Sequence, residues 1–244
     1  MSIFAIGDIH GGFRALTQVL ERARIKSEDT LIFLGDYVDG WSEPLQLIDY
    51  LIELSAKQHC VFIRGNHDQL FLDYLETNDK EIDEGMWFKH GGEATMKAYK
   101  NISQDKKKQH IQFLKNLSDF YLDSDKRLFV HAGFTNMHGV KYEYFPKMLY
   151  WDRTLWETAV ALDLKIEKTS FFYPRRLLKY NEIYIGHTPT TQINCSIPVN
   201  KANVWNVDTG AAFLGKLSIL NIETKEFWQS DSLPDLYPDE IGRN

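Results

Sequence analysis

The sequence predicts an α/β fold in which one sheet-based domain takes up most of the chain. Short apolar runs alternate with stretches of helical hydrophobic spacing in the first third of the 244 residues. Each of these apolar runs ends close to a Gly-Asp or Gly-Asn pair. Further β-prone runs follow in the second half, without long helices between the later ones. This alternation is typical of a sheet with helices packed against it.

The first third of the chain reads as three strand, loop and helix units. Apolar runs of strand length lie at residues 3–6, 30–34 and 60–63. Apolar residues recur with helical spacing after each run, at 16–23, 45–52 and 70–75. Loops that follow the carboxyl ends of strands in α/β sheets meet at one crevice, so polar side chains on these loops are expected to lie together.

The second half predicts a mixed or antiparallel sheet. Its β-prone runs lie at residues 128–130, 183–185, 204–207, 217–220 and 226–228. We expect a single domain over residues 1–230, with a polar helical insertion at 76–120. Residues 231–244 contain two prolines, several acidic residues and little apolar content, which predicts a peripheral C-terminal tail.

Composition excludes several classes of partner. The 34 acidic residues outnumber the 28 lysines and arginines, so a net charge of -6 offers no track for a nucleic acid. The first residues lack the basic and apolar regions of a signal peptide, and no later run is long enough to span a membrane. We therefore expect a cytoplasmic protein that acts away from membranes; its oligomeric state stays open.

Carboxylates, imidazoles and an amide follow the strands and predict a metal site. Each strand-ending segment contributes to this set: Asp8 and His10, Asp36 and Asp39, Asn66 and His67, His131, and His187. Such a mixture suits Mn, Fe, Zn or Mg better than Ca, whose sites consist of oxygen atoms. A carboxylate such as Asp36 can bridge two ions about 3.5–4 Å apart, the arrangement that activates water for attack at phosphorus.

Five segments in this order resemble the signature motifs of the calcineurin-like metallophosphoesterases, in particular their bacterial PPP-type, serine/threonine protein phosphatase-like branch. They are Gly7-Asp-Ile-His-Gly11, Gly35-Asp-Tyr-Val-Asp39, Gly65-Asn-His-Asp68, His131-Ala-Gly133 and Gly186-His-Thr188. Residues 87–95 also resemble a Gly-Gly-x-x-Thr stretch of bacterial members. The resemblance implies a calcineurin-like metallophosphoesterase fold, a four-layer α/β/β/α sandwich of two mixed sheets.

The resemblance also implies a dinuclear centre with two divalent ions, for which we expect Mn before Fe, Zn or Mg. One ion would be held by Asp8, His10 and Asp36. The other would be held by Asp36, Asn66, His131 and His187. A hydroxide bridging the two ions would be the nucleophile, and no covalent intermediate is implied.

His67 is the general acid that the resemblance implies, with Asp39 orienting its imidazole and stabilising the charged form. We expect Asp68 to support the turn rather than to bind a metal. For substrate binding we expect Arg153, which resembles a phosphate-binding arginine of bacterial members, together with Asn66. Arg64 could reach the phosphate or form a structural ion pair with a nearby acid.

The chain departs from the family pattern after Asp39. The family has Asp-Arg-Gly where this sequence has Asp39-Gly40-Trp41, so one phosphate-binding arginine is missing. Its absence should weaken ground-state binding or leave room for a bulkier, less charged ester. We expect Trp41, which replaces a small residue, to shape the substrate pocket.

The leading functional hypothesis is in-line hydrolysis of phosphomonoesters, with phosphoproteins carrying phosphoserine or phosphothreonine among the candidate substrates. The alternative enzyme hydrolyses nucleotides, dinucleoside polyphosphates or phosphodiesters. For nucleotides and dinucleoside polyphosphates it needs base-stacking aromatic residues near the metals, for which Trp41 or Tyr173 could serve. A third hypothesis is a non-catalytic scaffold of the same fold. The intact ligand set argues against the scaffold.

Overall fold

The computed structural model describes residues 1–77 and 84–243, so residues 78–83 of the predicted helical insertion and Asn244 lie outside the described residues. The described residues form ten strands: β1 (Ile3–Ile6), β2 (Thr30–Phe33), β3 (Cys60–Phe62), β4 (Phe120–Leu122), β5 (Arg127–Val130), β6 (Glu182–Ile185), β7 (Val199–Lys201), β8 (Val204–Asn206), β9 (Ser218–Asn221) and β10 (Phe227–Gln229).

Nine α-helices lie in the same described part of the chain: α1 (Phe13–Arg22), α2 (Pro44–Ser55), α3 (Asn66–Thr77), α4 (Glu84–Trp87), α5 (Glu93–Tyr99), α6 (Gln104–Lys115), α7 (Met148–Trp151), α8 (Thr154–Ala161) and α9 (Leu233–Leu236). A π-helical turn, Phe88–Gly92, joins α4 to α5. None of these helices combines the length and the apolar character that crossing a bilayer requires.

Two five-stranded mixed sheets form the centre of the molecule. The first has the order β10-β9-β1-β2-β3, in which β1, β2 and β3 are parallel and β9 and β10 are antiparallel to their neighbours. The second has the order β4-β5-β6-β8-β7, in which β5, β6 and β8 are parallel and the two edge strands are antiparallel. Each sheet therefore contains three parallel strands whose carboxyl ends lie on one edge.

Alternating side chains place each sheet between two apolar cores. On β1, Phe4 and Ile6 face the core formed with α1 and α2, whereas Ala5 faces the core between the sheets. On β5, Phe129 faces the core between the sheets, while Leu128 belongs to the core formed with α8. This order of helix, sheet, sheet and helix confirms the predicted four-layer sandwich.

All eight predicted strands are present in the described part of the chain, but β4 and β7 were not predicted. Both are three-residue edge strands without fully buried positions, so neither has the apolar run that marked the others. In the segment 76–120, α5 and α6 contribute Tyr99 and Leu114 to the core that also contains Phe33. The described part of this helical segment therefore packs onto the first sheet.

The prediction of a peripheral tail after residue 230 is wrong. Leu233 and Tyr237 are 0% and 1% exposed and belong to the core of the first sheet. The Tyr237 ring stacks on Trp41 with 5.2 Å between centroids, and its hydroxyl donates to Glu43 Oε2 at 2.5 Å. Two well-placed apolar side chains are enough to dock this polar segment, which is why its overall composition was misleading.

Candidate active site

The polar residues predicted to meet do meet, at the shared edge of the two sheets. Asp8, Asp36 and Asn66 follow β1, β2 and β3, while His131 and His187 follow β5 and β6. All five side chains are buried, with exposures of 8% or less. The site therefore lies at the carboxyl ends of parallel strands from both sheets, where neighbouring loops converge.

One group of potential metal ligands consists of His10, Asp36 and His67, whose ligand atoms lie within 4.8 Å of one another. His10 Nε2 is 3.5 Å from Asp36 Oδ2. Asp8, the third ligand expected for this ion, lies slightly farther out, with its Oδ2 4.0 Å from His10 Nε2. The structure thus brings His67 into this group, whereas Asp8 is not among its three members.

A second group consists of Asp36, His131 and His187, again within 4.8 Å. His131 Nε2 is 3.4 Å from Asp36 Oδ2. Asn66 Oδ1 lies 3.2 Å from His131 Nε2 and 2.9 Å from His187 Nδ1. Asp36 belongs to both groups, which is the position expected of a bridging carboxylate.

Close backbone packing fixes the position of Asp36. A Cβ added to Gly65 would lie 2.0 Å from Asp36 Oδ1, so this approach requires glycine. Asp68 accepts hydrogen bonds of 2.8 Å from the backbone N–H groups of Asp36, Tyr37 and Gly65. These bonds tie the loops after β2 and β3 together, in agreement with the supporting role expected of Asp68.

Several acidic side chains are buried close together in the site. Burial, and then the nearby Asp208, raises the pKa of Asp8 well above its ordinary value. Burial and the charge of Asp36 raise the pKa of Asp68 to about 7. Burial raises the pKa of Asp208 to about 6, and Asp36 again contributes. Each carboxylate is therefore costly to ionise unless positive charge lies beside it.

Asp36 and His131 form a buried charge pair in the site, with His131 Nε2 3.4 Å from Asp36 Oδ2. Burial opposes ionisation of Asp36, but His131 and then His67 outweigh it and hold the pKa of this carboxyl well below its ordinary range. Asp36 in turn outweighs the burial of His131 and raises the pKa of that imidazole to about 10. By contrast, burial lowers the pKa of His10 and of His187 well below 6.5, which favours the neutral form that binds a metal, whereas a cation at His131 would have to displace the proton of that imidazole.

The residues present fit a pair of divalent cations. Asp8 Oδ1 and His187 Nε2 are buried and have no hydrogen-bond partner among the described residues. His131 Nδ1 lies 2.8 Å from the carbonyl oxygen of Leu34, and His10 Nδ1 lies 2.8 Å from that of Asp39. In both imidazoles these contacts leave Nε2 for a ligand, the usual arrangement at metal-binding histidines. Carboxylate, imidazole and amide donors together suit first-row divalent metals.

His67, which belongs to the first ligand group, also pairs with Asp39. His67 Nδ1 is 2.8 Å from Asp39 Oδ2, and both side chains are buried. Trp87 Nε1 donates to the same carboxylate oxygen at 2.6 Å, and Thr95 Oγ1 donates to Oδ1 at 2.7 Å. The stretch 87–95 noted in the sequence therefore fixes the carboxylate that contacts His67.

Asp36, Asn66, His67 and Arg153 line a cavity of about 180 Å³. The Nη1 of Arg153 donates to Thr188 Oγ1 at 3.0 Å, next to His187. This bond holds the guanidinium at the wall of the cavity. The structure therefore places Arg153 and Asn66 where the sequence prediction needs them, although their roles in substrate binding stay predictions.

Two predicted substrate-binding residues lie elsewhere. Trp41 is 0% exposed and its Nε1 donates to the carbonyl of Ala211 at 2.7 Å, so it packs in the core instead of shaping the cavity. Arg64 donates to Asp119 Oδ1 at 3.2 Å and to the carbonyl of Leu117 at 3.0 Å. Of the two roles considered for Arg64, these contacts support the structural ion pair and not the phosphate contact. Tyr173, a candidate for base stacking, is only 7% exposed and packs in the core of the second sheet.

Several residues that line the cavity were not predicted, and four of them bear on its chemistry: Asp208, Arg243, Trp151 and Phe213. Asp208 follows β8 and precedes Thr209-Gly210, the same succession of strand, polar residue and glycine that marked the other loops. That pattern could have identified Asp208. The other three follow no such pattern, and Arg243 reaches the cavity only because the C-terminal segment docks on the core.

Comparison with known proteins agrees with this architecture. A bis(5'-nucleosyl)-tetraphosphatase PrpE (asymmetrical) from Anoxybacillus flavithermus is 27% identical over 96% of this chain and 94% of its own length. A serine/threonine-protein phosphatase 1 from Salmonella typhimurium is 24% identical over 91% of this chain and 92% of its own length. A solved structure titled as a putative diadenosine tetraphosphatase superposes with a TM-score of 0.62 at 18% identity, covering 93% of this chain and 91% of that one.

The family described as calcineurin-like phosphoesterase matches residues 1–209. This range contains both predicted ligand groups, His67 and Asp39, and it ends one residue after Asp208. The two mixed sheets and the convergence of loops from both of them agree with this match. The chain therefore belongs to the calcineurin-like phosphoesterase family and is a metallophosphoesterase, a hydrolase of phosphoester bonds.

Proposed function

We propose that this metallophosphoesterase hydrolyses dinucleoside polyphosphates, the alternative among the sequence hypotheses, in preference to phosphoproteins. The observation that supports this choice is the position of Trp151, which lines the cavity and is 42% exposed. Its ring lies 6.1 Å from that of His187, next to the second ligand group. An aromatic face beside the reacting phosphate is what a nucleobase needs for stacking, and each stacked base contributes about 1–3 kcal/mol.

A second aromatic ring lies in the same cavity. Phe213 belongs to the loop after β8 and lines the cavity with Trp151. These two residues take the role that the sequence hypothesis gave to Trp41 or Tyr173. A phosphoprotein substrate needs no aromatic wall of this kind, because its leaving group is a serine or threonine side chain.

The relatives point in the same direction. The 27% identical relative is named as a tetraphosphatase of bis(5'-nucleosyl) substrates, and the chain matches it over nearly its full length. The superposed structure carries a related title. The serine/threonine-protein phosphatase, at 24% identity, keeps the phosphomonoesterase hypothesis as the competing outcome.

For the chemistry, we assign Asp8, His10 and Asp36 to one cation and Asp36, Asn66, His131 and His187 to the other, with Mn²⁺ as the expected ion. When bound, the two cations activate water and neutralise charge on the phosphoryl oxygens. Arg153 binds a phosphate oxygen from the wall of the cavity. The positive charges of the two cations and of Arg153 thereby offset the negative charges of the substrate phosphates.

His67 acts as the general acid in this proposal. Its Nδ1 is engaged by Asp39 at 2.8 Å, so Nε2 is the nitrogen available to protonate the leaving group. The buried carboxylate of Asp39, held by Trp87 and Thr95, keeps the imidazole in one orientation. In a dinucleoside polyphosphate, water attacks one phosphorus, a phosphoanhydride P–O bond breaks, and His67 protonates the bridging oxygen that leaves with the nucleotide. Proton donation of this kind lowers the barrier most for leaving groups that are strong bases, such as those of simple phosphate esters.

Steady-state kinetics with Mn²⁺ test the proposal. We expect kcat/KM for diadenosine tetraphosphate to exceed that for a phosphothreonine peptide by at least about tenfold, since stacking adds to the binding of the former. Trp151→Ala should raise KM for diadenosine tetraphosphate by about 5- to 100-fold and leave p-nitrophenyl phosphate nearly unchanged. Tyr144→Ala, at an 84% exposed tyrosine, is the matched control.

The same measurements separate the other hypotheses. A phosphothreonine peptide that is hydrolysed faster than the tetraphosphate would favour a phosphoprotein phosphatase. An equal rise in KM for diadenosine tetraphosphate and for p-nitrophenyl phosphate in Trp151→Ala would contradict the stacking of a base on Trp151. A purified protein that binds no Mn²⁺ and hydrolyses no ester would favour a non-catalytic scaffold.

A further inference from the structure

Arg243 reaches the cavity that contains the candidate metal ligands, from the far end of the chain. Its backbone N–H donates to the carbonyl of Ala212 at 2.9 Å, which holds the C-terminal segment against the loop after β8. Its guanidinium carbon lies 5.2 Å from the centroid of the Phe213 ring, a cation–π distance. Main chain and side chain are therefore both anchored at the wall of the cavity.

The stem of Arg243 packs over two glycines, Gly40 in the loop after β2 and Gly91 in the π-helical turn between α4 and α5. A Cβ added to Gly91 would lie 2.8 Å from Arg243 Cγ, and a Cβ added to Gly40 would lie 3.5 Å from the same atom. Both glycines have positive φ, +96° and +131°, so a side chain there would also be strained. Arg243 thus passes directly over Gly40, which stands where the family pattern has a phosphate-binding arginine.

The guanidinium of Arg243 has unused hydrogen-bonding capacity. Its Nε is buried and meets no hydrogen-bond acceptor in the part of the chain that the structure describes. A buried donor without an acceptor is unfavourable, and the fork of guanidinium N–H groups matches the oxygens of a phosphate. An anionic ligand in the cavity would supply the missing acceptor.

Arg243 and Arg153 act on different sides of the site. A Cβ added to Gly40 would lie 3.3 Å from His10 Cβ and 3.5 Å from Arg243 Cγ, so the stem of Arg243 runs close to His10. Arg153 Nη1 donates to Thr188 Oγ1 at 3.0 Å, at the residue next to His187. Arg243 therefore lies near the first ligand group and Arg153 near the second.

We infer that Arg243 binds a substrate phosphate and, together with Arg153, holds a polyphosphate chain across the two ligand groups. The C-terminal segment would thereby supply the guanidinium that the loop Asp39-Gly40-Trp41 does not carry. The inference rests on the proposed function for the identity of the substrate, because a polyphosphate offers a separate phosphate group to each arginine. Phosphate binding by Arg243 itself needs no such assumption.

Calorimetric titration of the Mn²⁺-loaded protein with inorganic phosphate tests the inference. Arg243→Met keeps the aliphatic stem but removes the charge, and we expect the Kd for phosphate to rise by about 10- to 100-fold. Arg243→Lys keeps the charge but loses the fork, so its Kd should lie between the two. Arg175→Met, at an exposed arginine of the 3-10 helix Arg175–Lys179, should stay within about twofold of the wild type.

Bound Mn²⁺ should remain at the wild-type level in both Arg243 variants. Equal phosphate affinity in the wild type and in Arg243→Met would overturn the inference. So would a loss of Mn²⁺ from Arg243→Met, because the residue would then support the metal site and not the phosphate. Phosphate titration requires no turnover, so a protein that fails to hydrolyse diadenosine tetraphosphate but shows the expected order of Kd values would refute the proposed substrate and leave the role of Arg243 supported.

Discussion

Four residues of the candidate site have a left-handed backbone conformation that is rare outside glycine. His10, Asp36, Asp39 and His187 have φ angles of 51°, 53°, 68° and 67°. Such a residue costs on the order of 1–3 kcal/mol and persists only where surrounding contacts hold it. Here the backbone N–H groups of His10 and Trp41 donate to the carbonyls of Asp36 and His10, both at 2.9 Å. The loops therefore give up some stability to direct their side chains at one point.

Replacement of His67 by asparagine tests its proposed role as general acid. We expect kcat for phenyl phosphate to fall by about 10²- to 10⁴-fold, whereas p-nitrophenyl phosphate should lose less than about tenfold, since its phenolate leaves without a proton. Steady-state kinetics with both esters at saturating Mn²⁺ measure the difference.

Metal content is the necessary control for His67→Asn, because His67 also lies within ligand distance of His10 and Asp36. Unchanged Mn²⁺ content with a leaving-group-dependent loss supports proton transfer. Similar losses of activity on the two esters would contradict proton transfer. The loss of one bound ion would show that His67 is a metal ligand.

Asp36→Asn tests the shared position of this carboxylate. An amide can offer only one oxygen, so we expect bound Mn²⁺ to fall from two equivalents to one or fewer and activity to fall by at least about 10³-fold. Metal analysis after gel filtration and p-nitrophenyl phosphate assays measure both effects. Asp105→Asn, at an exposed acid in the first turn of α6, is the matched control. Two bound equivalents in the Asp36 variant would rule out a bridge.

At the scale of elements, the sequence predicts what local pattern determines and misses what long-range contacts determine. The parallel strands β1, β2, β5 and β6 are buried apolar runs that end at glycine or histidine, so both the strands and their polar ends could be predicted. The edge strand β7 is a strand only because it pairs with β8, and its residues are partly or fully exposed. Pairing of this kind leaves no periodic signal in the strand itself.

The contact between α2, α5 and α6 has a pH dependence that can be measured. His110 of α6 is buried, with its Nδ1 2.6 Å from the hydroxyl of Tyr99 and its Nε2 2.9 Å from Asp49 Oδ1. Burial lowers the pKa of His110 below its ordinary value of 6.5. As the pH falls, His110 therefore binds a proton in the unfolded chain before it does so in the folded protein. The free energy of unfolding should accordingly fall as the pH drops below about 6.5.

Urea unfolding in EDTA between pH 7.5 and 5.5 measures this effect. His110→Gln, which has no titrating group, should lose less stability than the wild type over the same interval. His138→Gln, at an exposed histidine, should behave like the wild type. Parallel pH profiles of the wild type and His110→Gln would show that the contact does not contribute.

At the scale of the whole molecule, convergence of the site was predictable but side-chain direction was not. The carboxyl ends of parallel strands lie on one edge, so loops carrying Asp8, Asp36 and Asn66 had to meet. Trp41 lies in the same loop as Asp36, yet its side chain packs in the core, where the ring of Tyr237 from the C-terminal segment stacks on it. Only the folded chain brings these two rings together, and the same docking brings Arg243 to the cavity.

The accumulation of buried acids predicts that metal binding stabilises the entire fold. Asp8, Asp36, Asp68 and Asp208 are all at most 3% exposed, and they repel one another when ionised. Mn²⁺ at about 1,000 times its Kd should add about 4 kcal/mol, or roughly 8–16 °C in Tm for a chain of this size. Asp208→Asn removes one of these like charges, so it should raise the Tm of the EDTA-treated protein and reduce the difference in Tm between the EDTA-treated and Mn²⁺-loaded forms. The substitution keeps the side-chain oxygen that accepts a hydrogen bond from Gly210 N–H at 2.9 Å. Differential scanning calorimetry of both proteins measures the gap, and equal Tm values with EDTA and with Mn²⁺ would show that the site binds no ion strongly enough to matter for stability.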